Sequence, residues 1–240
     1  MTVDGILSAE GWAVLLPADA LSTPDLLPTG ALPDFGPYFT KAFNAGGFAP
    51  GTAIVRLSVR GRSPDPIAVY DIRPVNMRRE CLPTGAAVIF GNEGGDPADI
   101  SFNLEAARPL ARDTTSGDPS GGRPYFEGHS MLIRNNEPTQ MILRLGATRH
   151  AYSFDLAFSY ELDGKKRTQL VRRDGMPFRV AAELCPDPHT RQELSPEDVA
   201  RLRSMRYGQV RVRKTNLADD SYYVVDMDPT KYMDQCPTLK

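Results

Sequence analysis

Three histidines, three cysteines and a few Gly-bearing acidic or basic stretches are the residues of this 240-residue chain whose types could do chemistry. Gly128-His129-Ser130-Met131-Leu132 has the start of a nucleophile elbow, G-x-S-x-G, with His150 and His189 downstream as bases. The elbow needs a glycine two residues after the serine so that its strained turn can close. Leu132 stands there and an apolar strand pattern follows, so the stretch reads as a strand entry with an exposed His129. Asn92 to Asp99 clusters carboxylate and amide oxygens beside Gly94 and Gly95, as calcium sites do, but it fails the ligand spacing of an EF-hand. Ordinary turn chemistry accounts for the same residues.

Arg201, Arg203, Arg206, Arg211, Arg213 and Lys214 form a basic run in which Tyr207 could stack on a base. Acids flank the run at Glu197, Asp198, Asp219 and Asp220, and 28 Lys and Arg against 30 Asp and Glu leave the chain slightly acidic. The run therefore reads as a solvated face, which argues against nucleic acid. Trp12, with Tyr222 and Tyr223, is too little for a carbohydrate platform. His129, His150 and His189 are about 20 and 39 residues apart with no second ligand nearby, so no metal site and no cofactor is expected. Cys81, Cys185 and Cys236 fit no CxxC pattern. In an oxidising compartment Cys185 and Cys236 are expected to pair, because each precedes a proline in loop-like sequence and a bridge would tie down the C-terminal tail. Three unpaired thiols in a reducing compartment is the alternative.

Around these residues, composition narrows the scaffold. Gly (20) and Pro (21) together make about a sixth of the chain, against roughly 12% in average usage, while charged (24%) and apolar (41%) fractions are ordinary. That excludes collagen, coiled coil and wholesale disorder, and favours short strands between turns. The longest apolar stretches, such as Trp12 to Leu16 and Ala86 to Phe90, are far short of the roughly 20 residues of a membrane span. The N-terminus lacks a basic region and carries Asp4 and Glu10, unlike a signal peptide.

Residues 1–50 read as an irregular lead-in, with prolines at 17, 24, 28, 33 and 37 setting an extended strap. From residue 52 the period is two: Val55, Leu57 and Val59 face one way, Arg56, Ser58 and Arg60 the other. Further strands are expected at Ile67 to Val75, Ala86 to Phe90, Asp99 to Leu104, Met131 to Ile133, Met141 to Leu145, Tyr152 to Leu162, Arg167 to Val171 and Phe178 to Ala182. Asp163-Gly164 marks a hairpin. Phe154, Leu156, Phe158 and Tyr160 predict one dry face, with Ser153, Asp155, Ala157, Ser159 and Glu161 on a wet one. The connector from Asp113 to Arg123 reads as an exposed, mobile loop. One helix is well signalled, by the Ser195 cap and Pro196, and strands at Gln209 to Lys214 and Tyr222 to Met227 follow it.

Val55 to Ser63, Ile67 to Ile72, Arg78-Arg79, Cys81 to Gly85, Ile100 to Leu104 and Asp174 to Val180 together resemble a group of actinobacterial proteins. Members of that group have an N-terminal membrane helix followed by an extracytoplasmic β-sandwich-like domain. The resemblance spans about residues 50–183 and implies an architecture but no catalytic or ligand residues. Residues 185–240 have no counterpart in it, and its membrane helix is missing from these 240 residues. Membrane association is thus expected only through an N-terminal anchor that they do not contain.

The expected fold is mainly β: an antiparallel, immunoglobulin-like sandwich (51–184) with the Pro-rich strap before it and one C-terminal helix with short strands (185–240) packed on it. The expected function is a non-enzymatic extracytoplasmic binding or interaction module whose partner is a protein or cell-envelope component. The alternatives are a hydrolase or transferase with a loop-assembled site, a structural component of an assembly, and a cytoplasmic location.

Overall fold

Asp163 and Gly164 both take positive φ (53° and 68°), the geometry of the two-residue turn whose twist matches its flanking strands. The computed structural model that shows this turn describes residues 2–9, 13–91, 100–114 and 122–239. The N-terminal part holds β1 (Thr2–Ala9), β2 (Ala13–Leu16), β3 (Gly30–Ala31), α1 (Phe35–Asn44) and β4 (Ala49–Pro50). The middle holds β5 (Thr52–Arg60), β6 (Ile67–Glu80), β7 (Ala86–Ile89), β8 (Ile100–Asn103), β9 (Arg112–Asp113), β10 (Met131–Ile133), β11 (Pro138–Gly146), β12 (Ala151–Leu162), β13 (Lys165–Val171) and β14 (Phe178–Ala181). The C-terminal part adds α2 (Pro188–Glu193), α3 (Pro196–Ser204), β15 (Gln209–Asn216), β16 (Ser221–Met227) and α4 (Pro229–Asp234).

These strands form three sheets, in the orders β1-β5-β11-β8-β9, β10-β6-β12-β14-β4 with β13 also on β12, and β2-β7-β15-β16-β3. The fold is mainly β and sandwich-like. Beyond two antiparallel sheets it has a third sheet and three parallel pairings, β8 with β11, β4 with β14 and β7 with β15. The main core lies among the sheets: Val55, Leu57 and Val59 from β5 and Phe154, Leu156 and Phe158 from β12 belong to one buried cluster. Each such side chain contributes about 1.5–3 kcal/mol by leaving water.

The third sheet is buried on both faces at β2, β7 and the start of β15. Val14, Leu16, Ala86 and Val88 join the main core, while their alternating neighbours Leu15, Ala87 and Val210 join a second cluster with Leu184, Leu202, Tyr207 and Met233. A strand covered on both sides reads as a short continuous apolar run, which is how Ala13 to Leu16 and Ala86 to Ile89 look.

Three expectations need correction. Residues 1–50 are not an irregular strap, because they supply strands to all three sheets as well as α1. Pro37 does not prevent that helix. It lies in the first turn, where backbone N–H groups have no intrahelical partner, and the Asp34 carboxylate accepts from Gly36 N–H (3.3 Å) as the cap. Tyr38, Phe39, Ala42 and Phe43 then bury one stripe of α1 against Phe90 and the sheets. α3 is likewise not the only C-terminal helix, since Asp187 caps α2 and Asp228 caps α4.

The third correction concerns β12, most of whose polar face is dry: Ser153, Asp155, Ala157 and Ser159 are all buried, and only Glu161 is exposed as expected. β6, β13 and β14 pair with the edges of β12. Arg172 grips Asp155 with two bonds (2.8 and 2.9 Å), and Asn76 donates to it at 2.8 Å from a left-handed position (φ 52°) where the β6–β12 register shifts. Burial alone would raise the Asp155 carboxyl, but Arg172 and Asn76 hold it below the usual range.

Glu105 fastens the start of β12 and the residues just before it. Its carboxylate accepts from the backbone N–H of Thr148, Arg149 and His150 (2.7–3.1 Å), bonds His150 Nδ1 (2.7 Å) and accepts from the Tyr152 hydroxyl (2.8 Å). Burial would raise it, but these bonds outweigh burial and lower its pKa, so its contribution is full above the ordinary glutamate range and is lost as pH falls through the lowered value. Glu105→Ala strands five donors and should cost roughly 3 kcal/mol or more in urea unfolding at pH 7. A loss under about 1 kcal/mol would contradict that role.

Candidate functional site

The residues singled out from sequence do not assemble. His129 rests its Nδ1 against the Tyr125 carbonyl (3.0 Å) and stacks on that ring, whereas His150 is held by Glu105. His189 lies in the first turn of α2, its backbone N–H bonded to the Asp187 cap (2.8 Å). Ser130 precedes β10 in an exposed stretch. Among the described residues no group of three or more His, Cys, Asp or Glu could hold a metal ion. The acidic loop at 92–99, Trp12 and most of the Asp113 to Arg123 connector lie outside the described residues.

The basic run is used internally. Arg211 pairs with Asp226, Arg201 donates to the Arg149 carbonyl (2.7 Å) and to Asp198, and Arg206 donates to the carbonyls of Arg203 and Met205. Arg213 lies over the Tyr222 ring at 4.8 Å.

Chemistry gathers instead at a cavity of about 320 Å³ where all three parts of the chain meet. Ala13 and Leu15 of β2, Pro50 to Thr52, and Ile89 with Gly91 form one side. Glu183, Asp187, Tyr207 and Tyr232, from the C-terminal side of the fold, form the other.

Glu183 is fixed from both flanks. Ala182 N–H donates to the His150 carbonyl (2.9 Å), and Leu184 N–H donates to the buried Tyr207 hydroxyl (3.1 Å). Its Oε1 lies against Gly51, which has φ +60° and whose backbone bonds Ala181 and Ala147 (2.7 and 2.8 Å). A Cβ at position 51 would sit 3.0 Å from that oxygen, so both the conformation and the space select glycine. Tyr232 comes from α4, its ring centroid 6.0 Å from that of Tyr207.

The disulfide between Cys185 and Cys236 ties the segment carrying Glu183 and Asp187 to the end of α4. Thr238 reinforces the tie by donating its hydroxyl to the Pro186 carbonyl (2.6 Å) and accepting from Arg191 Nε (3.0 Å). Cys81 remains a free, exposed thiol.

The electrostatics of this cavity are one-sided. Asp187 is spoken for as the α2 cap: burial would raise it, but bonds from Thr190 Oγ1 (2.5 Å) and the N–H groups of Thr190 and His189 keep it low and ionised. Glu183 receives no such help. Among the described residues nothing donates to its carboxyl and no cation pairs with it, so burial, aided by the Asp187 charge, pushes it up to about 7. Burial also raises the hydroxyls of Tyr207 and Tyr232, and the Glu183 charge adds to both.

Sequence reasoning passed over Glu183, Asp187, Tyr207 and Tyr232. The available signal was position: Glu183 and Asp187 each stand two residues from Cys185, and Tyr232 stands four before Cys236. Compared with protein-family models, curated proteins and solved structures, the chain matches none.

A glutamate with a raised folded pKa stabilises the fold most when protonated, and that contribution fades as pH rises from the ordinary value toward about 7. Glu183→Gln removes the ionisation. The variant is expected to match the parent near pH 5 and to exceed its unfolding free energy at pH 8 by roughly 1–3 kcal/mol, measured in urea. An equal difference at both pH values would contradict an unpartnered Glu183.

Proposed function

We propose that this chain is a non-enzymatic extracytoplasmic binding module whose ligand enters the cavity between the sandwich and the C-terminal segment. The observation that carries the reading is the cavity itself, a space of small-molecule size, partly apolar, with a few polar groups converging on it. Among the described residues its lining holds no serine, cysteine, histidine or lysine, so what they offer a ligand is shape, two aromatic rings and negative charge rather than an activated nucleophile. The Cys185–Cys236 disulfide suits an oxidising compartment, in keeping with the resemblance to extracytoplasmic actinobacterial domains. No helix among the described residues is long and apolar enough to cross a membrane.

A second reading has one observation in its favour. A carboxyl with pKa about 7 can both give and take a proton near neutrality, as a hydrolase or transferase acid would, with the ionised Asp187 close by. The two readings differ in fate of ligand: a binding module returns its ligand unchanged.

Two measurements test the leading reading. Unfolded without reductant, protein recovered from its native compartment is expected to expose one titratable thiol, that of Cys81. Three thiols would rule out the extracytoplasmic assignment. In ligand-observed NMR with a library of small fragments, Ile89→Trp, which fills the cavity, should abolish the binding seen with the parent chain. Hits that bind this variant equally well, with its fold checked by circular dichroism, would overturn the cavity as the ligand site.

A further inference from the structure

Resting on the cavity as a ligand site, we infer that its ligand is a small organic cation, a primary or methylated ammonium whose charge is met by Glu183 and whose alkyl groups lie against Tyr207 and Tyr232. Four features point the same way. The Glu183 carboxyl faces the cavity with no donor and no cation among the described residues, so its bonding capacity is left for whatever enters. Asp187, already satisfied by the α2 cap, adds negative charge without competing for the ligand. The two tyrosine rings, 6.0 Å apart and tilted by 56°, both line the space, and aromatic rings attract ammonium groups electrostatically. Among the described residues no Lys, Arg or His lines the space; Arg213, beside Gly91 at the rim, is engaged with the Tyr222 ring.

An anionic ligand would meet two carboxylates here and, among the described residues, no cation nearer than Arg213 at the rim. A bare metal ion is poorly suited, since no three ligating side chains converge among the described residues. The volume, about 320 Å³, lies at the small end of ligand cavities and suits a molecule of a few carbons.

The test titrates the full, disulfide-bonded chain at pH 8 with three probes of similar size, n-butylammonium, n-butanol and n-butyrate, followed by protein NMR shifts of Gly51, Glu183 and Tyr232. Butylammonium is expected to saturate these signals at least tenfold more tightly than butanol, with no response to butyrate. Glu183→Gln should weaken butylammonium at least tenfold, and Tyr232→Leu, which keeps bulk but removes the π face, at least threefold. Tyr232→Leu also keeps the inference falsifiable if Glu183→Gln does not fold. Butanol or butyrate binding as tightly as butylammonium, or undiminished binding to the folded variants, overturns the cation assignment while leaving the cavity as a ligand site. No response to any of the three probes up to 50-millimolar concentrations, about the weakest binding worth counting, overturns both.

Discussion

The parallel pairing of Ala86–Ile89 with Gln209–Val212 is the contact on which the rest of the architecture depends. It places a C-terminal strand beside a strand from the middle of the chain, which on its other edge holds Ala13–Leu16. A sheet assembled from three distant stretches must be covered on both faces, and its alternating residues serve two cores. Parallel neighbours also need long connections, and here the connection between β7 and β15 contains most of the sandwich. The C-terminal segment is therefore an integral layer.

That constraint creates the cavity. Where β2, the turn at Gly51 and the segment after β14 come together, the wall on one side is backbone and small side chains, and the wall on the other is acids and tyrosines. The Cys185–Cys236 bridge holds the acidic wall to α4 and limits how far the two can separate. The contrast between the buried carboxylates of this protein is informative. Glu105 and Asp155 have their acceptor capacity filled by several donors each, and their pKa values are lowered. Glu183, half-buried, has none among the described residues, and its pKa is raised. Buried polar groups are normally satisfied, and the departure at Glu183, on the lining of a cavity, is what the proposed ligand would complete.

Much of the scaffold was legible in the sequence because it rests on local patterns. Period-two alternation located β5, Asp163-Gly164 located the β12–β13 hairpin, and Ser195-Pro196 located α3. The Cys185–Cys236 pair followed from two loop positions and the need to fix a tail. What escaped were properties set by distant neighbours. The polar face of β12 holds a buried carboxylate, Asp155, only because Arg172 and Asn76 reach it from neighbouring segments. α1 was hidden by prolines whose effect depends on which turn of the helix they occupy. Glu183 looks like any surface acid until Gly51, Tyr207 and Tyr232 are brought around it by pairings that no local pattern encodes.

Everything distinctive about the cavity rests on the carboxyl of Glu183 standing half-buried without a partner among the described residues, and that is directly observable. Carbon-13 NMR of the glutamate side-chain carboxyls, followed through a pH titration of the folded, oxidised protein, should resolve one carboxyl that titrates near 7, and that signal should vanish in Glu183→Gln. A Glu183 carboxyl that titrates near the ordinary glutamate value of about 4.3 would mean that water or an undetected donor already satisfies it, and the cavity would lose its claim to a cationic ligand.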